Sequence, residues 1–160
     1  MLNNIILNED LVLMNLKAVS NLDAINQIAQ NLLSNHLVYP TYIDAIKERE
    51  LQFSTGLPGV DFGIAIPHTD SNHVISDAIS IAVLNSPVNF KMMGTDDIYL
   101  PAEMIFMLAI KGGDNQIKVL QSLMDLFQQE NALLRLQQAS SEKELVKLFK
   151  EFFKGKEQGE

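Results

Sequence analysis

Leu22, Ile25, Ile28, Ala29, Leu32 and Leu33 recur at steps of three and four, which places them on one stripe of a helix. The box Ser20-Asn-Leu-Asp23 opens that helix and His36 lies near its end. Before it, Leu11–Leu16 is a short apolar run with β character, so a strand leads into the helix. Tyr39-Pro40-Thr41 breaks the chain, and Thr41 is the expected cap of a second helix, with Asp44 at its third position and an end near Leu51. Gly56, Pro58, Gly59 and Gly63 predict an extended loop. Phe62–Pro67 reads as a brief buried strand that stops at a proline, immediately before His68.

Further strands are expected over Asp77–Leu84, Val88–Met92 and Glu103–Ile110. The last is almost wholly apolar, the pattern of a central strand in a sheet covered on both faces. Helices follow over Asn115–Gln128, Asn131–Gln138 and Ser141–Phe153, the last opened by Ser141 and Glu144 as a capping box. One strand, two helices, four strands and three helices define an α/β fold. We expect a mixed β-sheet of about five strands sandwiched by helices on both faces, without the regular alternation of a doubly wound fold. No linker, low-complexity run or internal period divides the 160 residues. A single domain over residues 1–153 is expected, with 154–160 as a polar tail able to fray.

Composition narrows the chemistry. The absence of cysteine rules out disulfides, thiolate zinc sites and cysteine nucleophiles. A net charge of −8 argues against nucleic acid as a partner, since neutralising phosphates supplies most of that affinity. The opening segment MLNNIILNEDLVLM lacks the features of a secretory signal, and no apolar run approaches the length needed to cross a bilayer. The expectation is a soluble, cytoplasmic protein without membrane insertion.

Histidine is scarce: His36, His68 and His73. His36 follows a helix and is expected as an exposed C-terminal residue favoured by the helix dipole. His68 is presented at a strand end, beside Thr69 and Asp70, where reactive groups of α/β sheets gather. Three chemistries are open to it. With His73 and Asp70 it offers metal-ligand types, but on a loop whose spacing aligns them on no helix face. As a general base it would need a nucleophile, and no G-x-S-x-G elbow is present. As a nucleophile, neutral imidazole can itself take a phosphoryl group if one ring nitrogen is held by a hydrogen bond and the other points outward.

Lys47-Glu-Arg-Glu50, Phe53-Ser-Thr-Gly-Leu57 and Gly63-Ile-Ala-Ile-Pro-His-Thr-Asp70 occur in order. Together they resemble the signature of the fructose/mannitol-type enzyme IIA domains of the bacterial phosphotransferase system. Tyr99–Leu108, the leading strand and helix and the three terminal helices also fit, and Phe53–Leu57 looks most like the galactitol-specific branch. The resemblance implies a phosphocarrier that needs no cofactor or metal. His68 would accept a phosphoryl group from phospho-HPr and pass it to a cysteine of enzyme IIB, with the membrane component IIC involved only indirectly.

By the same resemblance Arg49 matches the family's arginine, whose charge complements phosphoryl oxygens; its surface alternative is an exposed residue paired with Glu48 or Glu50. Thr55 belongs to the same signature and is carried as a supporting residue. Mannitol-type relatives place a second active-site histidine where this chain has Gln116, and His73 is a further candidate for that place. Phe53, Leu57 and Phe62 are core residues or part of the docking face. The competing readings are a nitrogen-type regulatory enzyme IIA, acting by phosphorylation-dependent protein binding, and an interaction module whose histidine is never phosphorylated.

Overall fold

A computed structural model describes the backbone of residues 4–158 and the side chains of residues 4–152. After a 3-10 turn at Glu9–Leu11 come β1 (Val12–Leu16), α1 (Asn21–Ser34), α2 (Tyr42–Gln52), β2 (Gly56–Pro58), β3 (Gly63–Ala65), a 3-10 turn at Ser71–His73, β4 (Ala78–Lys91), β5 (Tyr99–Ala109), α3 (Gly113–Phe127), α4 (Ala132–Gln137) and α5 (Glu142–Gln158). The strands form one sheet in the order β1-β4-β5-β3-β2. It is mixed: β1 runs parallel to β4 and β3 parallel to β5, while β4/β5 and β2/β3 are antiparallel.

β5 takes the centre because its residues suit no edge. Met104 to Ala109 are all fully buried. Successive side chains of a strand point to opposite faces, so such a run needs cover on both sides. Phe106 meets Phe127 of α3 and Phe149 of α5, with ring centroids at 4.9 Å and 6.2 Å. The opposite face falls to α1 and α2, which pack on each other while α1 also meets β4 and β5. α1 forms as its stripe requires, with Ser20 accepting the Asp23 N–H and Ala24, Ile25, Ile28, Ala29 and Leu32 buried.

Five strands are present, but not the expected five. The segments Asp77–Leu84 and Val88–Met92 are one strand, β4, whose register on β5 jumps between Val83 and Val88. Asn85, Ser86 and Pro87 bulge into solvent there, where a proline without an N–H breaks no ladder bond. The fifth strand is β2, inside the expected Gly-rich loop. Gly56 and Gly63 act there by close approach: a Cβ would lie 2.6 Å from the Lys91 carbonyl oxygen at Gly56 and 2.5 Å from that of Pro101 at Gly63.

Three helix ends also differ from expectation. Thr41 makes no side-chain cap on α2, because its hydroxyl lies 2.8 Å from His73 Nδ1. The α5 box is half formed: Ser141 Oγ accepts the Glu144 N–H, but the Glu144 carboxylate turns to the Ser140 N–H and hydroxyl. The backbone of α5 continues to Gln158, through most of the segment expected as a tail; residues 159 and 160 lie outside the described residues.

Candidate functional site

The end of β3, the last turn of α2 and the start of α3 meet around His68. The carbonyls flanking this residue are each bound. Ile66 accepts from the His68 ring at 2.8 Å, Pro67 accepts the Leu108 N–H at 3.0 Å, and Thr69 accepts Nε2–H of Gln116 at 3.1 Å. Leu108 lies on β5 past the end of β3, so its backbone groups on that side are free to serve other segments. Its N–H takes Pro67, and its carbonyl accepts the buried Tyr42 hydroxyl of α2 at 2.7 Å. One residue of the central strand thereby ties the histidine loop and α2 to the same point.

The His68 ring is half-buried. A carbonyl can only accept, so Nδ1 carries the proton in its bond to Ile66, and in the neutral ring the lone pair is on Nε2. Burial lowers its pKa below the ordinary 6.5, the Ile66 bond partly offsets this, and the Arg49 charge lowers it further. The result is a neutral imidazole with one nitrogen fixed and the other nucleophilic.

Arg49 is on the last turn of α2, its guanidinium 4.5 Å from the centre of the exposed Phe53 ring and 3.9 Å from the Asp70 carboxylate. Its Nε is buried with no hydrogen-bond partner among the described residues. The next residue, Glu50, points inward. Its two carboxylate oxygens accept the Thr55 N–H at 2.9 Å and the Thr55 hydroxyl at 2.7 Å. Burial pushes its pKa up to about 7 against the opposing effect of those two bonds.

Residues 5–152 match the family described as phosphoenolpyruvate-dependent sugar phosphotransferase system, EIIA 2. The chain belongs to this family. It is 28% identical over 107 residues to the galactitol-specific EIIA component of Escherichia coli K12, covering 67% of this chain and 71% of that protein. It is 32% identical over 101 residues to a fructose-specific EIIA component of Haloferax volcanii, covering 62% and 61%. The mannitol IIA of Escherichia coli, solved in complex with phosphorylated mannitol IIB, superposes with a TM-score of 0.75 at 23% identity, over 94% of this chain and 99% of that one. The mixed five-stranded sheet with its helices is that of the mannitol-type EIIA domains.

Within this EIIA domain the structure brings His68, Arg49, Thr55 and Gln116 into one neighbourhood. Gln116 braces the Thr69 carbonyl. His73 is bound elsewhere: its Nδ1 faces Thr41 and its carbonyl accepts the Tyr39 N–H, at the end of α2 remote from Arg49. His36 is exposed, in the left-handed region at φ 61°, closing α1. Leu57 and Phe62 pack on the core, whereas Phe53 is exposed beneath Arg49. Arg49 pairs with Asp70 and with neither Glu48 nor Glu50. Sequence reasoning missed Glu50 as a site residue. Its signal was positional, since Tyr42, Ile46 and Glu50, each four positions from the next, form the buried stripe of α2. Among the described residues no group of three or more His, Cys, Asp or Glu could hold a metal ion, and no helix is long and apolar enough to cross a membrane.

Proposed function

We propose that this EIIA-family chain is a cytoplasmic phosphocarrier in which His68 takes a phosphoryl group from phospho-HPr and hands it to a cysteine of an enzyme IIB. The wider system then takes up and phosphorylates a sugar or sugar alcohol of the galactitol kind. The observation that carries this reading is the hydrogen bond from Nδ1 to the Ile66 carbonyl, which leaves the lone pair on Nε2 of a neutral ring. In the first step Nε2 attacks phosphorus, the new N–P bond forms as the donor's N–P bond breaks, and the electron pair of that bond returns to the donor histidine. In the second, a thiolate attacks the same phosphorus and the lone pair returns to Nε2.

The transferring group carries its charge on three equatorial oxygens, so positioning and charge complementarity dominate the chemistry. Arg49 supplies the charge, with donors that Asp70, at 3.9 Å, engages only loosely. Gln116 contributes by fixing Thr69, and being an amide it brings no titration of its own. Both partners must reach one nitrogen in line, which makes their binding transient and mutually exclusive. The galactitol relative and the mannitol IIA–IIB complex support the choice of partner and sugar class.

Intact-mass measurement on wild type and His68→Ala tests this reading, with phosphoenolpyruvate, enzyme I and HPr, followed by a galactitol-type IIB. One phosphate on wild type, none on the folded variant, and its loss on adding IIB is the expected result. Phosphate that stays on the protein would move the reading to the regulatory kind of EIIA or to another sugar branch. A folded wild type that takes none would end it.

A further inference from the structure

A line of hydrogen bonds runs from Glu50 to the reactive ring. Glu50 holds Thr55 through both its N–H and its hydroxyl. The Thr55 carbonyl accepts the Ile66 N–H at 3.2 Å, extending the β2/β3 ladder by one step beyond Gly56 and Ala65. The Ile66 carbonyl then accepts Nδ1–H of His68. Glu50, Thr55 and Ile66 are all buried, so solvent competes for none of these groups before the ring is reached.

A carboxylate at this place is energetically awkward. It stands on the stripe of α2 formed by Tyr42 and Ile46, where an apolar side chain would pack without desolvating a charge. Two donors from a single residue only partly offset that burial, as the raised pKa shows. What the carboxylate does that an apolar residue could not is to grip the backbone at the end of the ladder that carries the Ile66 carbonyl. That carbonyl decides the ring's tautomer. Without an acceptor at Nδ1 the proton of a neutral imidazole is free to sit on Nε2, where it blocks the lone pair.

We propose that Glu50 is a positioning residue for His68: by holding the amide and hydroxyl of Thr55 it fixes the Ile66 carbonyl, and through it the Nδ1–H tautomer that leaves Nε2 nucleophilic. The consequence for phosphoryl transfer rests on the phosphocarrier reading, whereas the effect on the tautomer does not.

The test combines ring-nitrogen NMR of His68 with the rate of phosphoryl uptake from phospho-HPr and urea unfolding, on wild type, Glu50→Gln, Thr55→Val and Thr55→Ser. The expected result is an Nδ1–H ring in wild type and Thr55→Ser. Glu50→Gln and Thr55→Val should show a mixture with a growing Nε2–H fraction, and uptake slowed about tenfold, as when the outer partner of an oriented histidine is lost. Thr55→Val keeps the volume and removes a single bond, so it decides the matter if Glu50→Gln does not fold. Folded variants that retain the wild-type tautomer would overturn the proposal, whatever stability they lose. If wild type takes no phosphate, the phosphocarrier reading fails and the NMR comparison alone decides the role of Glu50.

Discussion

The ring of His68 is tethered to the carbonyl of Ile66, two residues before it, at 2.8 Å. A carboxylate in that position would orient the ring equally well but would also stabilise the imidazolium. A backbone carbonyl gives direction with no full negative charge, and burial together with Arg49 then keeps the ring neutral.

That arrangement sets a pH dependence. The folded pKa lies below the ordinary 6.5, so the neutral ring persists through neutral pH and is lost only as pH falls through the folded value. The folded state takes up its proton less readily than the unfolded chain, so this group's contribution to stability is present above 6.5 and declines on acidification. An NMR titration should place the His68 midpoint below 6.5. A midpoint above 6.5 would contradict the described environment.

Arg49→Ala should slow phosphoryl uptake about a hundredfold, the scale for losing one preorganised charge at a reacting centre. It should also raise the His68 pKa, because the Arg49 charge is among the causes that lower it. Arg49→Lys should restore the pKa effect but little of the rate, since an ammonium lacks the guanidinium fork. Stability should change by less than about 1 kcal/mol, as the Asp70 pair is largely exposed. Rates, titrations and melting curves on the two variants check all three statements.

Glu50 works in the opposite sense to His68. Its pKa is raised from 4.5 to about 7, so between those values the folded protein binds a proton that the unfolded chain releases. Its contribution to stability therefore falls as pH rises across that window, by roughly 3 kcal/mol if the whole shift is expressed. Urea unfolding of wild type and Glu50→Gln at a series of pH values should show a difference that changes across the window and is flat outside it.

His36→Gly should stabilise the protein by about 0.5–1 kcal/mol. The His36 N–H bonds to the Leu33 carbonyl and the Leu37 N–H to that of Leu32, a C-terminal motif whose positive φ favours glycine. Thermal melts should show this gain with phosphoryl uptake unchanged.

Gly63→Ala should destabilise by about 1–3 kcal/mol, because its Cβ would press on the Pro101 backbone, which cannot swing aside. Since Gly63 begins the strand that leads to His68, uptake should fall as well. Chemical unfolding together with the uptake rate gives both readings.

Features written in local periodicity were legible in the sequence: the α1 stripe, the Ser20 cap, the buried run of β5 and the proline that presents His68. Features set by distant partners were not. Gly56–Pro58 looks like a loop because its strand character depends on Ala65 and Ile64 across the ladder. Thr41 has the right type for a cap, yet its hydroxyl is taken by a histidine 32 residues away. Pro87 suggests a strand end, whereas the neighbouring β5 carries the pairing past it. Glu50 was hidden by its own polarity, since a charged residue on a buried stripe counts as surface until its partner is seen.

The strand order also dictates when the reactive loop can exist during synthesis. β3 finds its parallel partner only in β5, and the Pro67 carbonyl is held by Leu108 near the end of that strand. While the chain emerges from the ribosome, β3 therefore has only the short β2 to pair with until some forty further residues have followed. Pairings of such sequence separation are slow to close. Under the proposed phosphocarrier function, the nascent protein would carry a histidine without its site until the central strand lies between β4 and β3, and phosphoryl uptake would report that the sheet is complete.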